Sequence, residues 1–346
     1  STATFEIGVT RVKILAIETT CDETAAAVVA SGPEVLSDVV YSQVSEHQPY
    51  GGVVPEIASR SHLEQLTCVI EDALQKASVT PEDLSAVAVA YRPGLIGALL
   101  VGVTTAKALA WSWNLPLIGV HHLEAHLESA FLAGEEIPPP YLGVVISGGH
   151  TDMHRVDGEG LTRWLGGTRD DALGEAFDKV AAILGLGYPG GPVVEKTALT
   201  GDPKAVRLPR TLLSKDSLDF SFSGIKTAVL YKWRGINAIH EHRAPDAPSP
   251  EDMCAGFQAA VFDVLAEKIR RACAQENLST VVLGGGVTAN SALRSGLNER
   301  LGSGYRLVFP PPRFTTDNAA MIGARALRQF ERGDFSDLEL MAEAQP

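Results

Sequence analysis

Apolar positions along this chain fall into two repeating patterns, short buried-type runs closed by polar turns and longer stretches with apolar residues at helical spacing. Val12-Lys13-Ile14-Leu15-Ala16-Ile17 predicts a strand, residues 18 to 24 a polar turn, and residues 25 to 30 a second strand. Pro55–Ala77 places Ile57, Leu63, Leu66, Ile70, Ala73 and Leu74 near a 3.6-residue period and predicts a long amphipathic helix. A strand over residues 85 to 90, a glycine- and proline-marked turn over 91 to 97, an apolar helix over 98 to 113 and a strand over 117 to 120 follow. The second half opens in the same way, with strands over 142 to 146 and through Val156 flanking a polar turn at 147 to 151. A helix over 170 to 184 presents Leu173, Ala176, Phe177, Val180, Ala181 and Leu184, and Tyr188-Pro189-Gly190-Gly191-Pro192 turns the chain into a helix containing Glu195. Residues 220 to 227 lead into another helix, and a loop over 245 to 250 precedes a long helix over 251 to 275. A strand over 280 to 283, a glycine turn over 284 to 290 with a further helix, and a capped helix over 319 to 330 complete the chain.

Strands alternating with helices predict an α/β fold. The strand, polar turn, strand opening of each half points to two related lobes. The three prolines at 138 to 140 mark the expected boundary: an N-terminal extension over 1–11, a first α/β lobe over 12–138, a second over 139–312, and a C-terminal helical segment over 313–346 that returns to the first lobe.

The most chemically pointed stretch is His121-His122-Leu123-Glu124-Ala125-His126, read as the start of a helix. An i, i+4 spacing stacks His122 and His126 on one face, where two ring nitrogens can share a divalent metal if a third ligand arrives from elsewhere. Asp317, ahead of the last helix, offers a carboxylate for that role. Surface or capping histidines are the competing reading. A zinc protease of the HExxH type is disfavoured, because Leu123 stands where its general-base Glu belongs. The turn at 18 to 24 crowds Glu18, Asp22 and Glu23 with three threonines, either as an ordinary turn or as a place to meet a phosphate or a metal-bound water. Gly148 and Gly149 allow an anionic group close to successive amides, and His150 could bond it, although a hairpin histidine is more often structural. The glycine turn at 284 to 290 is a setting for a nucleotide at a helix N-terminus, but it matches neither GxGxxG nor a Walker loop.

Composition narrows the class. A chain of 346 residues with 45% hydrophobic content and a mean hydropathy near zero can bury one or two substantial cores. No apolar run reaches the roughly 18 uninterrupted residues of a membrane span, and the N-terminus lacks the pattern of a signal peptide, which points to a soluble, cytoplasmic protein without a membrane role. Cys21, Cys68, Cys254 and Cys273 form no CxxC and read as reduced packing residues. A net charge of -13 argues against a freestanding nucleic-acid binder. Between residues 204 and 243, however, eight basic residues face three acids (Asp216, Asp219 and Glu241), which is either a solvated surface or part of an RNA contact.

Taken in order, IETTCDET (17 to 24), YGGVVPEIASR (50 to 60), HHLEAH (121 to 126), ISGGHT (146 to 151), GEAFDK (174 to 179), YPGGP (188 to 192), FSFSGIKT (220 to 227), GGGVTAN (284 to 290) and TDNAAMI (316 to 322) closely resemble the tRNA threonylcarbamoyladenosine transferase family, TsaD, formerly labelled O-sialoglycoprotein endopeptidase. The resemblance covers residues 12 to 330. It implies the two-lobed fold of actin, Hsp70 and sugar kinases (ASKHA) with a nucleotide-type ligand between the lobes. It further implies transfer of threonylcarbamoyl from threonylcarbamoyl-AMP to the exocyclic amine of the adenosine next to the anticodon, in tRNAs reading codons that begin with A. By position, its metal ligands fall on His122, His126 and Asp317, and its substrate-binding residues on Ile146, Ser147, Gly148, Gly149, His150, Asp178, Gly191 and Asn290, with Glu195 where the family often has Asp. Arg92 stands where the family usually has Gly. A His, His, carboxylate site favours Fe(II) or Zn(II) over Mg(II). Glu18, Asp22 and Glu23 are the candidates for proton handling. The implied partners are tRNA, a paralogous TsaB-type subunit and a small TsaE-type ATPase. A sugar-kinase-like phosphotransferase, a metal-dependent endopeptidase and a non-enzymatic nucleotide-binding subunit are the rival classes.

Overall fold

The computed structural model describes residues 11–135, 137–158, 162–236 and 242–345. The expected N-terminal extension, apart from Arg11, lies outside the described residues, as does Glu241. The chain divides into two compact units, one of residues 1–42, 58–125 and 318–346, the other of residues 43–57 and 126–317. The proline run at 138 to 140 lies inside the second unit.

The first unit is built on a five-stranded sheet of β1 (Lys13–Glu18), β2 (Glu23–Ala30), β3 (Glu34–Ser42), β4 (Ala86–Arg92) and β5 (Leu117–His121), in the order β3-β2-β1-β4-β5. β1 pairs antiparallel with β2 and parallel with β4, and β4 pairs parallel with β5. Ile14 to Ile17 and Val87 to Ala90 are completely buried, as expected of central strands covered on both faces. After the short helix α1 (Val44–His47), helix α2 (Pro55–Ala77) supplies Leu66, Val69, Ile70 and Ala73 to this core, and α3 (Ile96–Trp113) supplies Val103, Ala106 and Ala110. By length and composition α3 could cross a membrane, yet it packs along β4. The last helix, α10 (Ala319–Glu331), lies on β1 and β2 so closely that a Cβ on Gly323 would stand 2.9 Å from the Val29 Cβ.

The second unit repeats this plan. Its strands β6 (Tyr141–Ile146), β7 (Thr151–Val156), β8 (Thr162–Gly167), β9 (Thr280–Gly284) and β10 (Arg306–Val308) run in the order β10-β9-β6-β7-β8. Again an antiparallel meander leads to parallel strands on the other side of the first. Helices α5 (Leu173–Leu184), α6 (Gly190–Ala198), α7 (Ser223–Arg234), α8 (Pro250–Glu276) and α9 (Ser291–Leu301) surround it. Phe177 of α5 meets Phe257 of α8 edge to face at 5.0 Å in the middle of a large apolar cluster.

Four sequence expectations need correction. β3, β8 and β10 have no counterpart in the apolar pattern; all three are sheet edges, where partial burial leaves no apolar run to read. Helix α5 begins at Leu173 and not at residue 170, because Asp170 and Asp171 bond to other segments. Helix α6 begins at Gly190, so Gly190 and Gly191 form its first turn. His121 ends β5, and α4 (His122–Glu128) starts one residue later.

Candidate functional site

Strand β5 delivers the chain directly into α4, so the imidazoles of His122 and His126 sit one helical turn apart. His122 is 5% exposed and His126 fully buried. The Nε2 of His126 lies 3.1 Å from Oδ1 of Asp317, and ligand atoms of His122, His126 and Asp317 all lie within 4.8 Å of one another. Metal bonds of about 2.0 to 2.2 Å at roughly tetrahedral or octahedral angles place neighbouring ligand atoms about 3.0 to 3.5 Å apart. The His126 to Asp317 spacing matches that range, and the mixed nitrogen and oxygen donors suit a borderline transition ion. The residues therefore fit a divalent metal. Asn318, next to Asp317, caps α10 by accepting the Met321 N–H at 2.9 Å, which anchors the position from which Asp317 extends.

The three acidic candidates of the turn after β1 have different surroundings. Glu18 is completely buried; one oxygen accepts the Thr20 N–H at 2.5 Å and the other lies 2.9 Å from Nδ1 of His122. Glu23, half-buried, accepts the Ser42 hydroxyl at 3.0 Å. Asp22 is half-buried between them. The turn itself is fixed by bonds that sequence spacing did not indicate. Thr19 Oγ1 donates to Ala98 O at 3.0 Å, Leu95 N–H donates to Thr20 O at 2.8 Å, and buried His62 bridges Thr24 Oγ1 at 2.7 Å and Cys21 O at 3.0 Å. His62 carried no motif signal beyond its place on a predicted helix.

In the second unit the turn at 147 to 151 is a compact loop. Ser147 N–H donates to His150 O at 2.8 Å, and His150 N–H to Ser147 Oγ at 3.1 Å. Ile146 is buried at the end of β6, while Gly148 and Gly149 are exposed, with open space where a Cβ would stand. Asp178 accepts the Gly190 N–H at 2.7 Å, tying α5 to the start of α6 beside Gly191. Asn290 and Glu195 converge on α9. Asn290 caps it through Leu293 N–H at 2.8 Å and donates to Gln258 at 3.0 Å, while Glu195 accepts the N–H of Ser291 at 2.7 Å and its hydroxyl at 2.6 Å. Protein groups thus occupy two first-turn amides of α9, at the helix end read from sequence as a nucleotide setting. Gly285, at φ +94°, is the residue that lets this turn pass close to Ile146, whose carbonyl carbon would lie 2.7 Å from an added Cβ.

Segment 220 to 227 is held by two carboxylates. Asp170 accepts from Ser221 Oγ, Phe222 N and Ser223 Oγ at 2.6 to 2.8 Å, and Asp171 receives Lys179 and Lys226 at 2.6 Å each. Burial pushes the Asp171 carboxyl up, but the hydrogen bonds from Lys179 and Lys226 outweigh it and hold it below the usual carboxylate range. Of the basic segment, Lys226 is therefore committed, Arg210 pairs with Asp263 at 2.7 Å, and Arg243 donates to Ala247 O at 2.9 Å. Lys204 and Arg207 are exposed and line an open groove with Pro203, Val206, Leu208 and Arg210. Arg92 ends β4 and pairs with Glu343 of the C-terminal segment at 3.0 Å.

Fold comparisons agree with the class expected from the residues. Component A of the (R)-2-hydroxyglutaryl-CoA dehydratase of Acidaminococcus fermentans superposes with a TM-score of 0.57 at 14% identity, over 92% of this chain and 99% of that one. HypF of T. kodakarensis superposes with a TM-score of 0.60 at 14% identity, over 95% of this chain and 50% of that one. The protein has the α/β fold of the actin, Hsp70 and sugar-kinase class, with one five-stranded sheet in each unit. Sequence similarity is narrower. The family model described as TsaD, tRNA N6-adenosine threonylcarbamoyltransferase, matches residues 34–324. Relatives bearing that name include those of Anaeromyxobacter dehalogenans (strain 2CP-C), 50% identical over 96% of this chain and 98% of the relative, and Trichlorobacter lovleyi, 50% identical over 96% and 95%. That of Clostridium perfringens is 46% identical over 95% and 96%. The chain belongs to the TsaD family.

Proposed function

We propose that this protein transfers the threonylcarbamoyl group of threonylcarbamoyl-AMP to the exocyclic amine of the adenosine adjacent to the anticodon, in tRNAs reading codons that begin with A. The observation that carries the reading is identity of about one half along nearly the full length of relatives named for that transfer. In the step, the amine nitrogen bonds to the carbamoyl carbon, the bond from that carbon to the phosphate oxygen breaks, AMP leaves with the electron pair, and the amine gives up a proton.

The chain's own groups divide this work. The exposed Gly148 and Gly149 leave room for the adenylate phosphate beside the backbone, Ser147 and His150 shape that turn, and Asp178 of α5, Gly191 and Glu195 of α6 and Asn290 at the cap of α9 are the other substrate-side residues. Asp22 and Glu23 are the carboxylates proposed for the amine proton, and Glu18 is turned toward the Thr20 N–H and His122. His122, His126 and Asp317 would hold one divalent ion, Fe(II) or Zn(II), which when bound supplies Lewis-acid polarisation or orientation of substrate oxygens.

Partners belong to the same proposal. A chain with a net charge of -13 needs help to hold tRNA, and the face of α3 carrying Ile96, Leu100 and Trp111, the last 75% exposed, supports docking of a protein subunit such as the paralogous TsaB-type partner, with a TsaE-type ATPase completing the system in the cytoplasm. The test is to supply threonylcarbamoyl-AMP and unmodified tRNA, with and without the partner proteins, and to measure threonylcarbamoyladenosine by mass spectrometry. Failure to form the nucleoside in every combination, with folded metal-loaded protein, refutes the proposal.

A further inference from the structure

We propose that Glu18 is the positioning residue of the metal site, fixing the ring of His122 so that its Nε2 lone pair is the one offered to the ion. The inference rests on reading His122, His126 and Asp317 as ligands. Glu18 and His122 are 104 positions apart, on β1 and at the head of α4, and nothing in their local sequence pairs them.

Two donors facing two oxygens make the argument. The Thr20 N–H can only donate, and it takes Oε1 of Glu18 at 2.5 Å. Oε2 faces Nδ1 of His122 at 2.9 Å. An acceptor at that nitrogen holds the ring proton on Nδ1 and leaves the lone pair on Nε2. Thr20 Oγ1, 3.3 Å from the same nitrogen, adds a second polar neighbour on that side of the ring. The pair is dry: Glu18 is 0%, Thr20 2% and His122 5% exposed. Water therefore does not compete for the bond, and ring rotation would leave a buried acceptor unpaired. A carboxylate behind a metal-bound histidine both orients the ring and raises its basicity as a ligand. The Glu18 carboxylate, a candidate for proton handling on sequence grounds, thus works from behind His122.

Glu18→Gln tests this with nearly unchanged volume. The amide oxygen must stay with the Thr20 N–H, which turns the amide NH2 toward Nδ1; the ring proton then moves to Nε2 and blocks the ligand lone pair. Zinc and cobalt affinities measured by chelator competition should fall about 10- to 100-fold in this variant, the usual effect of losing such a partner. In a His122→Ala background, Glu18→Gln should change metal affinity by less than about twofold, because the ring it positions is gone. Nitrogen NMR of the metal-free parent should show the His122 proton on Nδ1. A proton on Nε2 in the parent, or parent-like metal affinity in folded Glu18→Gln, overturns the assignment. If His122→Ala itself keeps parent affinity, the ligand reading fails first, and that outcome is separate from the other two.

Discussion

Removing Asp317 is the sharpest perturbation of the metal reading. Asp317→Ala deletes the carboxylate 3.1 Å from His126 Nε2 but leaves Asn318 to cap α10, so the variant should fold. Losing a supporting hydrogen bond behind a ligand already costs about 10- to 100-fold in affinity, so losing one of three ligands should cost at least about 100-fold. With free metal at about 1,000 times the parent Kd, binding stabilises the parent by about 4.1 kcal/mol; the same concentration is then about 10 times the variant Kd or less, worth about 1.4 kcal/mol at most. At about 2 °C per kcal/mol for a chain of this size, the metal-induced rise in Tm should shrink by about 5 °C. Differential scanning fluorimetry against zinc or cobalt, with metal content measured on the dialysed protein, reads both quantities. His121→Ala is the control, since His121 ends β5 and is not in the cluster. Stoichiometric metal in Asp317→Ala, or loss of metal in His121→Ala, refutes the ligand set.

Three further outcomes follow from the geometry. Gly149→Val adds a side chain into space the protein leaves open, so Tm should move by less than about 2 °C while affinity for the adenylate, read by calorimetry, falls at least about tenfold; normal affinity would reduce the turn to a hairpin. Lys204→Glu with Arg207→Glu should weaken tRNA binding and flatten its salt dependence in filter-binding assays, whereas Arg210→Glu should chiefly destabilise the fold by breaking its pair with Asp263; unchanged tRNA affinity across salt for the double variant removes the groove from the interface. Lys268 is buried under the 212 to 217 connector, donating to Leu212 O at 2.7 Å and Ser217 O at 2.6 Å, and burial brings its ammonium down to about 8. An unfolded lysine titrates near about 10.4, so between those values the unfolded chain holds a proton that the native chain has released, and stability from this residue rises with pH. Urea unfolding of the parent and Lys268→Met from pH 7 to about 10 should therefore show the difference growing in the parent's favour above about pH 8; parallel curves would contradict the burial argument.

By itself the sequence carried the central strands, the long helices and the paired histidines, because each of these is written in local spacing. Ile14 to Ile17 and Val281 to Leu283 are apolar runs because both faces of their sheets are covered, and Pro55–Ala77 shows its period because only one face is. The His122, His126 spacing needs nothing more than 3.6 residues per turn. Edge strands β3, β8 and β10 were illegible because their residues are only partly buried, and backbone pairing to a neighbouring strand, not composition, makes them strands. The tertiary structure alone decided what the polar residues do. Glu18 reads as a turn acid until folding sets it against His122, and Glu195 reads as a substrate-side acid by resemblance until α9, 96 positions later, presents Ser291 to it. Side-chain bonds of this kind depend on distances between segments that no local period records, and burial makes them costly to leave unmade.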